Sequence, residues 1–151
     1  MLKKLLLLGA LASLATLTGC TGYTTPVNPD DATPVNAVNL GTPISSDDVK
    51  LMFVRDSGMY GSAARIVCSI NGVPAVSLMP KQKTTLYLPP DQYSITCGSN
   101  HAFPNSVFLR GEAKENLHIR IGFVGQAILL YQAGKNGVLY SMDFNTKPIK
   151  P

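Results

Sequence analysis

Tryptophan is missing altogether, histidine occurs twice and cysteine three times. Two histidines without a Cys-x-x-Cys pair offer no ligand set of the zinc type. Charged residues make up only 15% of the chain, against about 25% in ordinary soluble proteins. The formal net charge is +4, and two of the basic residues, Lys3 and Lys4, stand at the very start. Without residues 1–19, eleven basic residues face nine acidic ones. So small and dispersed an excess excludes the clustered basic surface that nucleic acid requires. A glycine-rich phosphate loop, a calcium loop and a G-x-S-x-G turn are all missing from the sequence. Catalysis needs a nucleophile, a base and an orienting group in one place, and no such set is legible. The chain reads as a non-enzyme with no metal and no small-molecule cofactor. Beyond the first twenty residues no apolar run approaches the ~20 residues of a membrane-crossing helix.

Those first twenty residues are distinctive. Lys3 and Lys4 form a short cationic start, and residues 5–16 (LLLLGALASLAT) are an apolar run of twelve. Twelve are too few to span a bilayer. Charge, then apolar run, then small residues is the order of a signal peptide. The segment closes on Leu17-Thr18-Gly19-Cys20, which resembles the lipobox of bacterial lipoproteins. The resemblance implies cleavage before Cys20, a diacylglyceryl group on its thiol (palmitate and similar chains) and usually an acyl chain on its new amine. One acyl chain holds a protein to a membrane only reversibly, whereas two or three hold it firmly. Residue 21 is Thr. In enterobacterium-like sorting Asp at that place favours the inner membrane, so Thr21 leans towards the outer membrane, with the protein facing the periplasm.

Three regions follow: a signal peptide over 1–19, a lipidated N-terminus and tether over 20–46, and a β-domain over 47–151. Residues 21–46 carry four prolines, many Thr and Asn, and a repeated Thr-Pro-Val-Asn at 25–28 and 33–36. Proline excludes helix, so this stretch reads as an extended or flexible spacer. Fully extended as polyproline it would reach ~80 Å, and as a coil nearer ~30 Å.

From Val49 the apolar residues recur with period two. Strands are predicted at 49–55, 64–70, 73–79, 83–88, 92–97, 106–110, 116–123, 126–132 and 138–144. Asn71-Gly72 predicts a two-residue type I′ hairpin turn, and Pro74 an edge position for the strand after it. Residues 56–61 and 98–105 read as loops, and 145–151 as a frayed tail. No window outside the signal keeps a 3.6-residue period. The expectation is an all-β fold, a small antiparallel β-sandwich or barrel.

The stretch from Leu51 to Thr96 resembles the small bacterial β-domains called DUF2846, and more loosely the PEGA-type domains. The matching parts are Phe53-Val54-Arg55, the run from Ser57 to Ala64, the Asn71-Gly72 hairpin, and Leu88-Pro89-Pro90-Asp91-Gln92-Tyr93. The family tends to place Gly before Xaa-Tyr at that last turn, where this chain has Asp91. The resemblance implies a β-sandwich, often on a lipoprotein, and carries no catalytic residues.

With Cys20 taken by lipid, Cys68 and Cys97 remain, each on the apolar side of its predicted strand. In an oxidising compartment a disulfide is expected, with two separate buried thiols as the alternative. Among other candidates, His118 alternates with Asn116 and Arg120 on a polar face, and Glu112 and Glu115 share a polar turn. Rigid β-scaffolds place binding function in loops, which singles out Tyr60, His101 and Phe103 as possible contact residues. The implied role is structural or interactive: a membrane-held protein contacting an envelope protein or glycan, for instance as an accessory of a secretion or conjugation apparatus. Two alternatives stand beside it, a periplasmic inhibitor of a cell-wall hydrolase such as lysozyme, and an envelope enzyme.

Overall fold

The computed structural model describes residues 24–58, 62–100, 102–133 and 139–141, the last few through their backbone alone. Cys20, Tyr60, His101 and the 145–151 tail lie outside the described residues. The strands are β1 (Thr33–Pro34), β2 (Val49–Arg55), β3 (Ile66–Ile70), β4 (Val73–Leu78), β5 (Gln82–Leu88), β6 (Gln92–Ser99), β7 (Ala102–Arg110), β8 (Asn116–Val124), β9 (Ala127–Ala133) and β10 (Leu139–Ser141). A single-turn 3₁₀ helix, Pro29–Asp31, precedes them. The fold is all-β, as the period-two pattern requires.

The strands form one curled sheet in the order β1-β5-β2-β8-β9-β7-β6-β3-β4, with β10 beside β9, and the curl makes a half-barrel. Pairing is mixed. β1–β5, β2–β8 and β7–β9 are parallel, where antiparallel pairing was expected throughout. The reason is physical: side-chain period reports which face is buried, not which strand lies alongside or in which direction. A parallel neighbour needs a long crossover, and β3 to β7 together serve as the crossover from β2 to β8.

The concave face carries the core. Leu51, Phe53, Ile66, Leu86, Ile95 and Ile121 are among its fully buried side chains. The Asn71-Gly72 turn has φ of 49° and 83°, the left-handed pair a type I′ hairpin needs. β4, with Pro74, ends the strand order, as proline at an edge predicts. Residues 98–105 are not a loop: β6 and β7 extend through most of them. Cys97 pairs with Asn105 and Ser99 with Ala102, so Gly98 stands opposite Phe103 and Pro104. That is a β-bulge, and its Gly and Pro imitate the composition of a loop.

Residues 24–46 are likewise part of the folded body rather than a free spacer. Thr24 and Thr25 pair with β8 and the end of β2, and Val27 and Ala32 are buried against Val54. Further along, the Thr33 and Val35 amides bond the Lys81 and Lys83 carbonyls beside β5. The Val38 amide then bonds the Ala75 carbonyl of β4, and Leu40 accepts from the Tyr87 amide of β5. The strap therefore bridges the two edges of the half-barrel. Its bonds run through backbone groups and short side chains, which is why no apolar period announces it.

Candidate functional site

The strap enters at the end of the sheet where β2 and β8 finish. The Thr24 amide donates to the Phe123 carbonyl at 3.2 Å, and Thr24 Oγ1 accepts from the Phe123 amide at 3.0 Å. A Cβ on Gly122 would lie 2.7 Å from that Oγ1, so only glycine lets the strap approach this closely. Thr25 and Ser57 exchange backbone bonds at 2.5 and 3.0 Å. One turn below, Asp56 and Arg120 form an ion pair of 2.5 Å with side chains 5% and 14% exposed. Asp56 Oδ1 also accepts from the Val27 amide at 3.1 Å, and Arg120 Nη2 donates to the Val27 carbonyl at 2.9 Å. Both polar groups of one strap residue are thus held by a buried salt bridge between β8 and the residue following β2.

Arg55 is the one fully buried cation among the described residues. It follows Val49, Leu51 and Phe53 on the inward side of β2, and only 1% of it is exposed. Its Nη1 donates to the carbonyls of Ala64 and Leu78, and its guanidinium lies 5.5 Å from the centre of the Phe123 ring. Burial first, and the Arg65 charge second, pull its pKa down to about 10. It therefore stays protonated at neutral pH and ties the β3 entry to the end of β4. A charge at an apolar parity position was legible in the sequence as an exception. The Asp56–Arg120 pair was not, since Asp56 reads as a turn residue and Arg120 as solvated.

Two open grooves flank the sheet's convex side. One, of about 600 Å³, runs across β3, β6 and β7 between Arg65, Val67, Ser69, Thr96 and Pro104. Thr96 and Ser106 hydroxyls bond each other at 2.8 Å beside it. The other, of about 590 Å³, lies between the strap and β5, with Lys50, Lys83 and Tyr87 on its wall. Phe103 and Phe108 stand out from β7, 72% and 78% exposed. Phe103 is therefore a strand residue at the rim, and its amide donates to the Gln126 carbonyl at 3.1 Å.

Cys68 and Cys97 are direct cross-strand partners on β3 and β6 and form a disulfide, both ends fully buried. Glu112 and Glu115 close a turn, the Glu115 carboxylate accepting the Glu112 amide at 3.0 Å. Beside them Lys114 and Asp47 pair at 3.4 Å on the surface. His118 is half-buried on the convex face, opposite Met52. Burial, and then the Lys50 charge, hold its imidazole below the ordinary histidine pKa. Among the described residues no three His, Cys, Asp or Glu converge on a point that could hold a metal. No family model and no curated protein matches this chain.

Proposed function

We propose that this chain is a lipid-anchored envelope protein with a structural or interaction role, carried on Cys20 and facing the periplasm from the outer membrane. The observation that carries the reading is the order of the first twenty residues: cationic start, twelve apolar residues, then Leu17-Thr18-Gly19-Cys20. The Cys68–Cys97 disulfide supports it, because such bonds persist in oxidising compartments and not in a reducing cytosol. Among the described residues the body presents open, shallow grooves, including those of about 600 and 590 Å³, and the exposed Phe103 and Phe108 of β7. Open, shallow surfaces of that kind suit a protein or glycan partner better than an enclosed small molecule.

Membrane fractionation with intact-mass analysis tests it. The matured wild-type chain is expected in the outer-membrane fraction, starting at Cys20 and carrying fatty-acyl mass. Cys20→Ala is expected to stay uncleaved at that site and to gain no acyl mass. A wild-type protein that is water-soluble and unacylated overturns the reading. Crosslinking in intact cells then identifies the partner.

A further inference from the structure

We infer that the end of the half-barrel where the strap enters rests directly on the bilayer, with Phe103 seated in the headgroup region and Arg65 and Lys81 facing anionic phospholipid. This rests on the lipid-anchor reading of Cys20 and adds to it an orientation and a contact surface.

The chain between Cys20 and the folded body is short. Thr24 is already bonded to Phe123 and Thr25 to Ser57. Only four peptide steps separate Cys20 from Thr24, at most about 14 Å of fully extended chain. A free spacer over 21–46 would let the body roam, whereas a docked strap holds its entry end at the membrane surface.

An exposed aromatic residue lies at that end. β8 turns into β9 at Gly125 and Gln126, and β7 begins next to them, with Phe103 registered against Ala127. Phe103 is thus two strands from Phe123 and the strap entry, about 10 Å at ordinary strand spacing. Phe103 is 72% exposed, and phenylalanine on the apolar face of an interfacial surface sits at the headgroup/acyl boundary.

The two ends differ in charge. β2 and β8 are parallel, so their starts mark the opposite end. There Asp47, Asp48, Asp91, Glu112 and Glu115 gather with Lys50, Arg110 and Lys114, five acidic residues against three basic, through the bonds joining Lys50 to Glu115, Lys114 to Asp47 and Gly111 to Asp91. At the entry end Asp56 is buried against Arg120, while Arg65 and Lys81 are exposed. Asp30 and Asp31 lie at this end too, on the strap between Val27 and Thr33, beside Lys83. With Arg55, Arg65, Lys81, Lys83 and Arg120 against Asp30, Asp31 and Asp56, the entry end carries +2 and the opposite end −2 among the described residues. Exposed basic residues are drawn to the negative surface of an anionic bilayer.

The absence of tryptophan makes the test clean. Phe103→Trp and, separately, Phe108→Trp each give the full-length, matured protein a single indole. Position 108 lies about 17 Å further along the same strand. Each protein is reconstituted through its own anchor into phosphatidylethanolamine/phosphatidylglycerol vesicles containing lipids brominated near the top of the acyl chains. The expected result is loss of about half the emission at position 103 with a blue shift, and little change at position 108, as for a side chain a few Å into the interface. Arg65→Glu with Lys81→Glu should reduce the quenching at 103. Acylated protein whose position 103 is unquenched, or whose two positions are quenched alike, overturns the orientation and leaves the anchor standing. A mass without acyl chains overturns the anchor, and the orientation with it.

Discussion

Buried polar residues are few among the described residues. Arg55 takes a core position and donates to the carbonyls of Ala64 and Leu78, as a buried charged group requires. His118 lies on the opposite, convex face. Its imidazole is half-buried beside Lys50, and both burial and that charge disfavour the protonated form. The folded pKa lies below the unfolded value of about 6.5, so the unfolded chain binds the proton more readily. Stability should therefore fall as pH drops through about 6.5, and the loss should level off once the folded histidine protonates too. His118→Gln should flatten this slope, measured as urea midpoints between pH 5 and 7.5. An unchanged slope would place the pH sensitivity elsewhere.

At the scale of strands, the bulge and the disulfide govern the β3–β6–β7 segment. Cys68 faces Cys97 directly, and the two half-cystines fill core positions between Ile66 and Ile70 and beside Ile95. Their sequence separation is 29. Closing a loop of that size restricts the unfolded chain by about 3 kcal/mol. Cys68→Ala with Cys97→Ala should lower the melting temperature by roughly 10 °C for a domain of this size, as read by circular dichroism. The lost sulfur volume adds to that fall. Cys20 is untouched, so the membrane attachment proposed for it should persist in the folded fraction.

For the molecule as a whole the strap is the decisive part. It runs from Thr24 along the sheet and bridges the edges at β4 and β5, where exposed backbone would otherwise invite pairing with other chains. Its lock is the Asp56–Arg120 pair and the two Val27 bonds. Asp56→Ala leaves a nearly buried guanidinium without its counter-charge, a change that costs about 3–5 kcal/mol. Amide hydrogen exchange should show Thr25, Val27 and Ser57 losing protection, with β3 and β6 unaffected. Equal loosening everywhere would mean that the pair serves global stability rather than the strap.

The amino-acid pattern alone determined the strands and their inward faces. Val49 to Arg55 occupy the span that alternation assigns, and the Asn71-Gly72 turn has the geometry its composition requires. Period-two burial and left-handed turn residues are local physics, readable without knowing the neighbours. The cysteines' shared apolar parity pointed towards a bridge in the same way. Strand direction, the β7 bulge and the docking of residues 24–46 were decided only by the folded whole. Backbone hydrogen bonds carry no residue signature, and Pro, Thr and Asn look alike in a solvated spacer and in a strap lying along a sheet edge. The Asp56–Arg120 pair joins residues 64 apart in sequence, and only the parallel alignment of β2 and β8 brings them together.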